Sequence, residues 1–344
     1  MFNWHRKSTK VLNLALQGGG SHGAFVWGVL DRLLEDERLG IEGISATSSG
    51  AVNGALLASG LAEGGRAGAR RRLAMFWWNI SEACHRRRRS WFSLYWLFRQ
   101  DRLDLSSGGV FHDLMARILL HYDFNPANMN PLRRVIGKSI DFDILNRCEE
   151  IKLFVSATNV CTNKIRVFDI QEITVDALCA SACLPFLFRP VEIDGAYYWD
   201  GGYMGNPALY PLIYNCESSD VLLVQANPIE TSRAPQTASA ILERISEISF
   251  TSTLMREMRV IALITDLIAE GQIKRRSGMR QIRMHMVEAD ERIEEHGGTS
   301  KFNADWSFLT YLQKLGRQAG DRWLAENFDA IGEHSTLDIK DMFM

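Results

Sequence analysis

The chain has 344 residues, of which 46% are hydrophobic and 23% are charged, and its formal net charge is −2. This balance is typical of a globular protein, and so small a net charge gives no overall field that would attract nucleic acid. No run of about 18 apolar residues occurs, and the apolar stretch Val11–Leu16 is too short for a signal peptide. The six cysteines form no C-x-x-C pair, so we expect them to be reduced, which suits a cytoplasmic location.

The first sixty residues alternate between short apolar runs and segments with helical spacing. The pattern predicts strands over Val11–Leu16 and Ile41–Ala46, followed by helices over Ser21–Glu37 and Ser49–Leu61. Strand–helix–strand–helix order favours a parallel sheet with crossover helices.

The remaining chain continues this mixed pattern, with no repeat and no clear linker, so we expect a single domain. The predicted elements are paired strands over Lys152–Asn159 and Lys164–Asp169, a helix over Val175–Cys183, strands over Tyr197–Trp199, Val221–Ala226 and Gln281–Val287, and helices over Ala67–Ile80, Val110–Tyr122, Ala238–Gly271 and within Phe302–Asn327.

One segment, Phe76–Phe98, combines aromatic residues with the basic run Arg86–Arg89. Tryptophan and tyrosine favour the bilayer interface, and arginines attract anionic head groups, so the segment can be a peripheral membrane contact. The alternative is that its aromatic residues cover the core and its arginines occupy a solvated turn. Helical spacing suits both interpretations.

Three motifs carry the chemistry, and the first is the loop Gln17–Gly23, which contains Gly18, Gly19 and Gly20. Glycines between a strand and a helix let backbone N–H groups face a ligand that a side chain would block. The helix N-terminus adds positive potential, so the loop can hold an anion or an oxyanion.

The second motif is the turn Ile44–Gly50 between the second strand and its helix. A nucleophile elbow needs small residues two positions before and after the nucleophile. Ser48 meets this requirement with Ala46 and Gly50, whereas Ser45 and Ser49 do not. The alternative is a serine that only caps the helix.

The third motif is Asp200 followed by Gly201 and Gly202 at the end of a predicted strand. Such a turn can project the carboxylate into a cleft, although ordinary Asp-Gly turns are common.

In this order the motifs resemble the patatin-like phospholipase family, whose pattern is G-G-G-x-[RK]-G, G-x-S-x-G and D-G-[GA]. The matching positions are Gly18–Gly23, Ala46–Gly50 and Asp200–Gly202, and the stretches Ala180–Pro185 and Asn206–Pro207 are also similar. The resemblance covers about residues 10–230, which leaves 231–344 as a mostly helical C-terminal extension packed on the same domain.

The resemblance implies a three-layer α/β/α fold with a mainly parallel sheet and a serine hydrolase that cleaves acyl esters of lipids. It assigns Ser48 as nucleophile and Asp200 as its base, in a dyad that forms an acyl-enzyme. Gly18, Gly19 and Gly20 would form the oxyanion hole, and no metal or cofactor is needed. The resemblance implies supporting roles for the remaining motif residues, which are His22, Gly23, Gly50, Gly201 and Gly202.

The sequence departs from the family pattern at His22, which replaces a basic residue, and at Ala46, which replaces a glycine. His22 either weakens the anchoring of the loop or holds it by hydrogen bonds as a neutral imidazole. These departures leave open a catalytically weak or inactive lipid-binding protein on the same fold. A dinucleotide site at Gly18-x-Gly20-x-x-Gly23 is a further alternative, but it wants an acidic residue where Ala46, Thr47 and Ser48 stand.

Overall fold

A computed structural model describes residues 10–98, 130–185, 187–227, 229–230, 234–272, 280–289 and 298–344, and its central feature is one eight-stranded sheet. The strands are β1 (Lys10–Leu16), β2 (Leu39–Ala46), β3 (Lys152–Asn159), β4 (Ile165–Asp169), β5 (Val191–Ile193), β6 (Ala196–Asp200), β7 (Asp220–Gln225) and β8 (Arg283–Glu288). Their order is β5-β6-β3-β2-β1-β7-β8, with β4 pairing with β3. The pairs within β3-β2-β1-β7-β8 are parallel, whereas β4 and β6 run antiparallel to β3.

The described α-helices cover both faces of the sheet. They are α1 (Gly23–Leu33), α2 (Ser49–Phe98, with non-helical backbone at Gly64 and Gly65), α3 (Pro131–Ser139), α4 (Phe142–Asn146), α5 (Val175–Ser181), α6 (Tyr210–Asn215), α7 (Ala238–Ala269), α8 (Trp306–Asn327) and α9 (Ile339–Phe343). None of the helices in the described ranges is both long enough and apolar enough to cross a membrane.

Alternation along the buried strands separates two hydrophobic cores. Leu222 and Val224 of β7 face a core that includes residues of α1, α2 and α8. Val221 and Leu223 face the other core, which includes residues of α6, α7 and α9. Because successive side chains of a strand point to opposite faces, these contacts confirm the predicted α/β/α layers.

The predicted strand–helix pairs at the start of the chain are confirmed with small shifts of their ends. The first helix begins later than predicted, because a 3-10 turn at Gly20–His22 precedes α1. The predicted helix over Val110–Tyr122 lies outside the described residues. The division between residues 230 and 231 stays a prediction, although β8 pairs with β7 and α8 packs on α1.

Candidate active site

The parallel pairing of β1 with β2 brings the first two motifs to one edge of the sheet. Leu16 pairs with Ala46, so the loop after β1 and the turn after β2 leave the sheet side by side. Asp200, the last residue of β6, pairs with Ala157, just beyond Val155, which pairs with Ala46. The three predicted motifs therefore converge at the carboxyl edge of β1 and β2.

Ser48 occupies a strained position between β2 and α2. Its φ is 55°, in the left-handed region that non-glycine residues seldom adopt. Two hydrogen bonds stabilise this strained conformation. The Ser48 N–H donates to Ser181 Oγ at 2.8 Å, and the Ser48 carbonyl accepts from the Val52 N–H at 3.1 Å. Such strain at a sharp strand–helix turn is typical of a nucleophile elbow.

The glycine at the far side of the elbow is required by a close approach of two backbones. A Cβ on Gly50 would lie 2.5 Å from the carbonyl oxygen of Leu16. Ala46, which departs from the family pattern, is fully buried at the end of β2 and does not have a positive φ. Of the two residues, only Ser48 has the left-handed backbone of this turn.

Asp200 is completely buried, with Oδ1 accepting from the Gly202 N–H at 2.8 Å. Its Oδ2 has no fully formed hydrogen bond within the described part of the chain, although the Ser48 hydroxyl lies close enough to act on the carboxylate. Burial raises the pKa of Asp200 to about 7, and the hydrogen bonds from Gly202 and Ser48 offset this only in part. A carboxyl poised near neutral pH next to a serine hydroxyl is suited to proton transfer.

The two residues after Asp200 have to be glycines, because neighbouring atoms leave no room for a Cβ. A Cβ on Gly201 would collide with the backbone of Ser156, and a Cβ on Gly202 would lie 2.7 Å from Phe250 Cδ2. The turn therefore packs tightly against β3 and α7, which fixes the carboxylate of Asp200.

Two side chains that had no predicted role hold the glycine loop in place. The Gly18 N–H donates to Asn206 Oδ1 at 2.8 Å, and the Gly19 N–H donates to Ser49 Oγ at 3.0 Å. Gly20 has φ 59°, and a Cβ there would collide with the carbonyl oxygen of Lys301. Ser181 and Asn206 lie in the two stretches that supported the family resemblance, whereas nothing in the sequence marked Ser49 as an acceptor.

His22 is buried and holds the loop by hydrogen bonds. Its Nδ1 lies 2.9 Å from Asn227 Oδ1, and its Nε2 lies 2.7 Å from Ser300 Oγ. Asn227 Nδ2 donates to the Gly18 carbonyl at 3.1 Å, so its Oδ1 is the amide atom that accepts from the His22 ring. Of the two possibilities for His22, this geometry is the one in which hydrogen bonds from its ring hold the loop.

Gly23 packs against the start of α2. A Cβ on Gly23 would lie 2.7 Å from Ser49 Cβ, and its carbonyl accepts from Asn53 Nδ2 at 2.8 Å. Gly23 and Gly50 thus let the two motif segments approach each other.

The aromatic segment divides between the core and the surface. Phe76 and Trp77 are buried, as the core interpretation predicts, whereas Trp78 is 47% exposed. The side chains of 86–98, which include Arg86–Arg89, lie outside the described part of the structure. The membrane prediction for that stretch therefore stays a prediction.

Comparisons with known proteins find one family model and several solved structures that are similar to this chain. A family model described as patatin-like phospholipase matches residues 14–213. VipD from Legionella pneumophila is 13% identical with a TM-score of 0.42, over 92% of this chain and 67% of that one.

A chain of the heterodimeric ExoU–SpcU complex from the type III secretion system of Pseudomonas aeruginosa is 17% identical with a TM-score of 0.40, over 94% of this chain. This protein spans 53%, about half, of that chain. A comparison with curated proteins gives no significant match.

Proposed function

The chain belongs to the patatin-like phospholipase family, and on that premise we propose that it hydrolyses acyl esters of lipids with Ser48 as nucleophile and Asp200 as base. The observation that supports this most directly is the buried carboxylate of Asp200, whose pKa is raised to about 7 and which lies near the Ser48 hydroxyl. A general base works best with a pKa near the operating pH.

In the proposed first step, Ser48 Oγ attacks the carbonyl carbon of the ester while its proton moves to Asp200 Oδ2. The tetrahedral intermediate collapses as that proton passes to the leaving alcohol, which departs and leaves an acyl group on Ser48. Water then attacks the acyl-enzyme, giving its proton to Asp200, and the fatty acid leaves as Ser48 regains a proton.

The glycine loop supplies the oxyanion hole in this proposal, with different tasks for its three glycines. Because the Gly18 N–H already donates to Asn206 and the Gly19 N–H already donates to Ser49 Oγ, we assign to these two glycines the task of holding the loop in place. Gly20, at φ 59°, is then the first candidate to face the oxyanion. Loss of one such donor costs about 2.7–4 kcal/mol in comparable sites.

The proposal requires neither metal nor cofactor, because the buried carboxylate alone accepts the proton. The competing possibility is a protein on this fold that binds lipid without cleaving it.

A fluorophosphonate probe separates these two functions, because it reacts only with an activated serine. We expect peptide mass spectrometry to find the probe on Ser48, with Ser49→Ala still labelled and Ser48→Ala unlabelled. A panel of short soluble esters and phospholipid vesicles then defines the substrate. Absence of labelling and turnover in a protein that still binds vesicles would establish the non-catalytic alternative.

A further inference from the structure

Four large apolar side chains are exposed on three separate elements, and we call them the apolar rim: Trp78, Ile245, Ile248 and Phe302. Their exposed fractions are 47%, 55%, 56% and 59%. Large apolar groups clustered at a surface often mark an interaction site.

Helix α7 carries Ile245 and Ile248 on its outer face, and its inner face contacts the site. Phe250 packs against Gly202, next to Asp200, and its ring lies 4.8 Å from that of Tyr203. Glu247 forms an ion pair with Lys301 at 2.7 Å. The isoleucines are therefore within a turn of Phe250, which packs on the Asp200 turn, and of Glu247, which is paired with Lys301 beside the glycine loop.

The segment that carries Phe302 also borders the glycine loop. Ser300 is hydrogen-bonded to His22, and the carbonyl of Lys301 lies against Gly20. Phe302 follows directly and points its ring to the outside.

Helix α2 places Trp78 near the glycine loop as well. Its neighbour Trp77 donates to Asn53, which in turn donates to the Gly23 carbonyl. The Trp78 ring meets that of Trp306 edge to face at 5.0 Å, close in the chain to Phe302. Each element of the rim thus contacts the glycine loop or the Asp200 turn with one face and exposes an apolar group on another.

The charges beside the rim are compatible with a lipid head-group layer. Glu247 is paired with both Lys301 and Arg244, so two cations face this one carboxylate. A surface of isoleucine, phenylalanine and tryptophan flanked by cations is the composition of interfacial helices and anchors.

We propose that the apolar rim is the surface by which this protein adsorbs to a phospholipid bilayer, with the rim around the opening to Ser48. The proposal rests on the proposed function, because an acyl ester in a bilayer must reach Ser48 from the membrane surface. A rim that borders the site would place that surface next to the nucleophile.

The test compares two double variants on one helix. Ile245→Ser with Ile248→Ser removes half of the rim. Val260→Ser with Leu263→Ser changes residues of similar exposure, 54% and 56%, toward the other end of α7, about 18 and 22 Å along the helix from Ile248. Both are made in a Ser48→Ala background, so that vesicle binding is measured without hydrolysis, and thermal melting confirms that each variant folds.

Co-sedimentation with phosphatidylcholine vesicles should show binding weakened about tenfold or more in the rim variant, since burying one isoleucine is worth about that factor. The control variant should stay within about twofold of the Ser48→Ala parent. In the active protein, the ratio of vesicle-lipid hydrolysis to soluble-ester hydrolysis should fall for the rim variant only.

Equal binding of both variants and the parent would overturn the proposal, as would equal losses in both. A shift from dimer to monomer in the rim variant, seen by analytical ultracentrifugation without vesicles, would identify the rim as a contact between two copies instead. If the protein hydrolyses no ester yet the rim variant alone loses vesicle binding, the docking surface stands and the proposed hydrolysis fails.

Discussion

Two buried aspartates lie in the same sheet and have opposite surroundings. Asp200 at the end of β6 accepts one backbone hydrogen bond and has no paired cation within the described residues, and burial raises its pKa to about 7. Asp220 at the start of β7 accepts from His285, from Arg283 and from the Gly332 N–H.

Although burial opposes the charged form of Asp220, these partners hold its pKa well below its usual range. Burial alone therefore does not decide the behaviour of a carboxylate; the donors around it do. Asp220 is kept charged and joins β7, β8 and the segment near Gly332, whereas Asp200 is left able to take a proton at neutral pH. The contrast separates a structural carboxylate from a candidate catalytic one.

The largest expected effect comes from removing the group that faces Asp200. Ser48→Ala should lower ester turnover by about 10⁴-fold or more, because no other described side chain can replace the nucleophile at this turn. Turnover of a soluble ester such as p-nitrophenyl butyrate measures it. Ser49→Ala serves as the matched control and should lose far less, since Ser49 only accepts from the Gly19 N–H. Loss confined to Ser49→Ala would show that the nucleophile is misassigned.

Exchanging the two aspartates for asparagine tests the comparison itself. Asp200→Asn should lower turnover by about 10²–10⁴-fold, because an amide cannot accept the serine proton. Asp220→Asn, assayed below its melting temperature, should retain most of its turnover. Similar activity in the two variants would remove the distinction between the carboxylates.

The two asparagine substitutions should change the free energy of unfolding in opposite directions. Asp220→Asn should lower the free energy of unfolding at pH 7 by about 3–5 kcal/mol, because it leaves Arg283 and His285 without their charged partner. Asp200→Asn should raise it at pH 8 by an amount on the order of 4 kcal/mol at most, because it removes a carboxylate whose pKa is raised from 3.8 to about 7. Urea denaturation monitored by circular dichroism gives both values.

The pH dependence of this difference follows from the sign of each shift. The folded protein holds a proton on Asp200 between pH values of about 4 and 7, so the stability contribution of Asp200 falls as pH rises through that window. The contribution of Asp220 is present above pH values of about 4 and is lost in acid. The stability gain of Asp200→Asn should therefore disappear near pH 4, and a constant gain would contradict the assignment.

The smallest expected effect is the pH profile of turnover. The base form of Asp200 falls about tenfold for each pH unit below its pKa of about 7, so kcat/KM should be about tenfold lower at pH 6 than on its plateau above pH 8. A profile that stays flat down to pH 5 would mean that Asp200 titrates as an ordinary carboxyl and is not the buried base described here.

The turns that carry Ser48 and Asp200 could be predicted from the sequence because turns are local. A strand end, a small-x-Ser-x-small turn and an Asp-Gly-Gly turn leave their marks within a few neighbouring residues. The two cores also follow from the apolar runs of β1, β2 and β7. These elements therefore needed no knowledge of the sheet order.

Contacts between distant segments left no such mark. His285 meets Asp220 only because β7 and β8 pair in parallel with Leu222 opposite His285. The glycine loop is hydrogen-bonded to Ser49, Asn206 and Ser300 because the fold brings distant segments of the chain together. Single polar residues without a local pattern are compatible with too many arrangements for a sequence to select one.

The bond between His22 and Ser300 has a consequence for how the protein is made. The two residues are 278 positions apart, so at ordinary translation rates Ser300 is synthesised on the order of half a minute after His22. The Lys10 ammonium of β1 likewise donates to the carbonyls of Asp329 and Ile331, which are synthesised later still. We expect the nascent chain to leave the ribosome with its glycine loop unanchored, so a cell that produces this hydrolase meets a fully anchored glycine loop only after Ser300 has been synthesised and has left the ribosome.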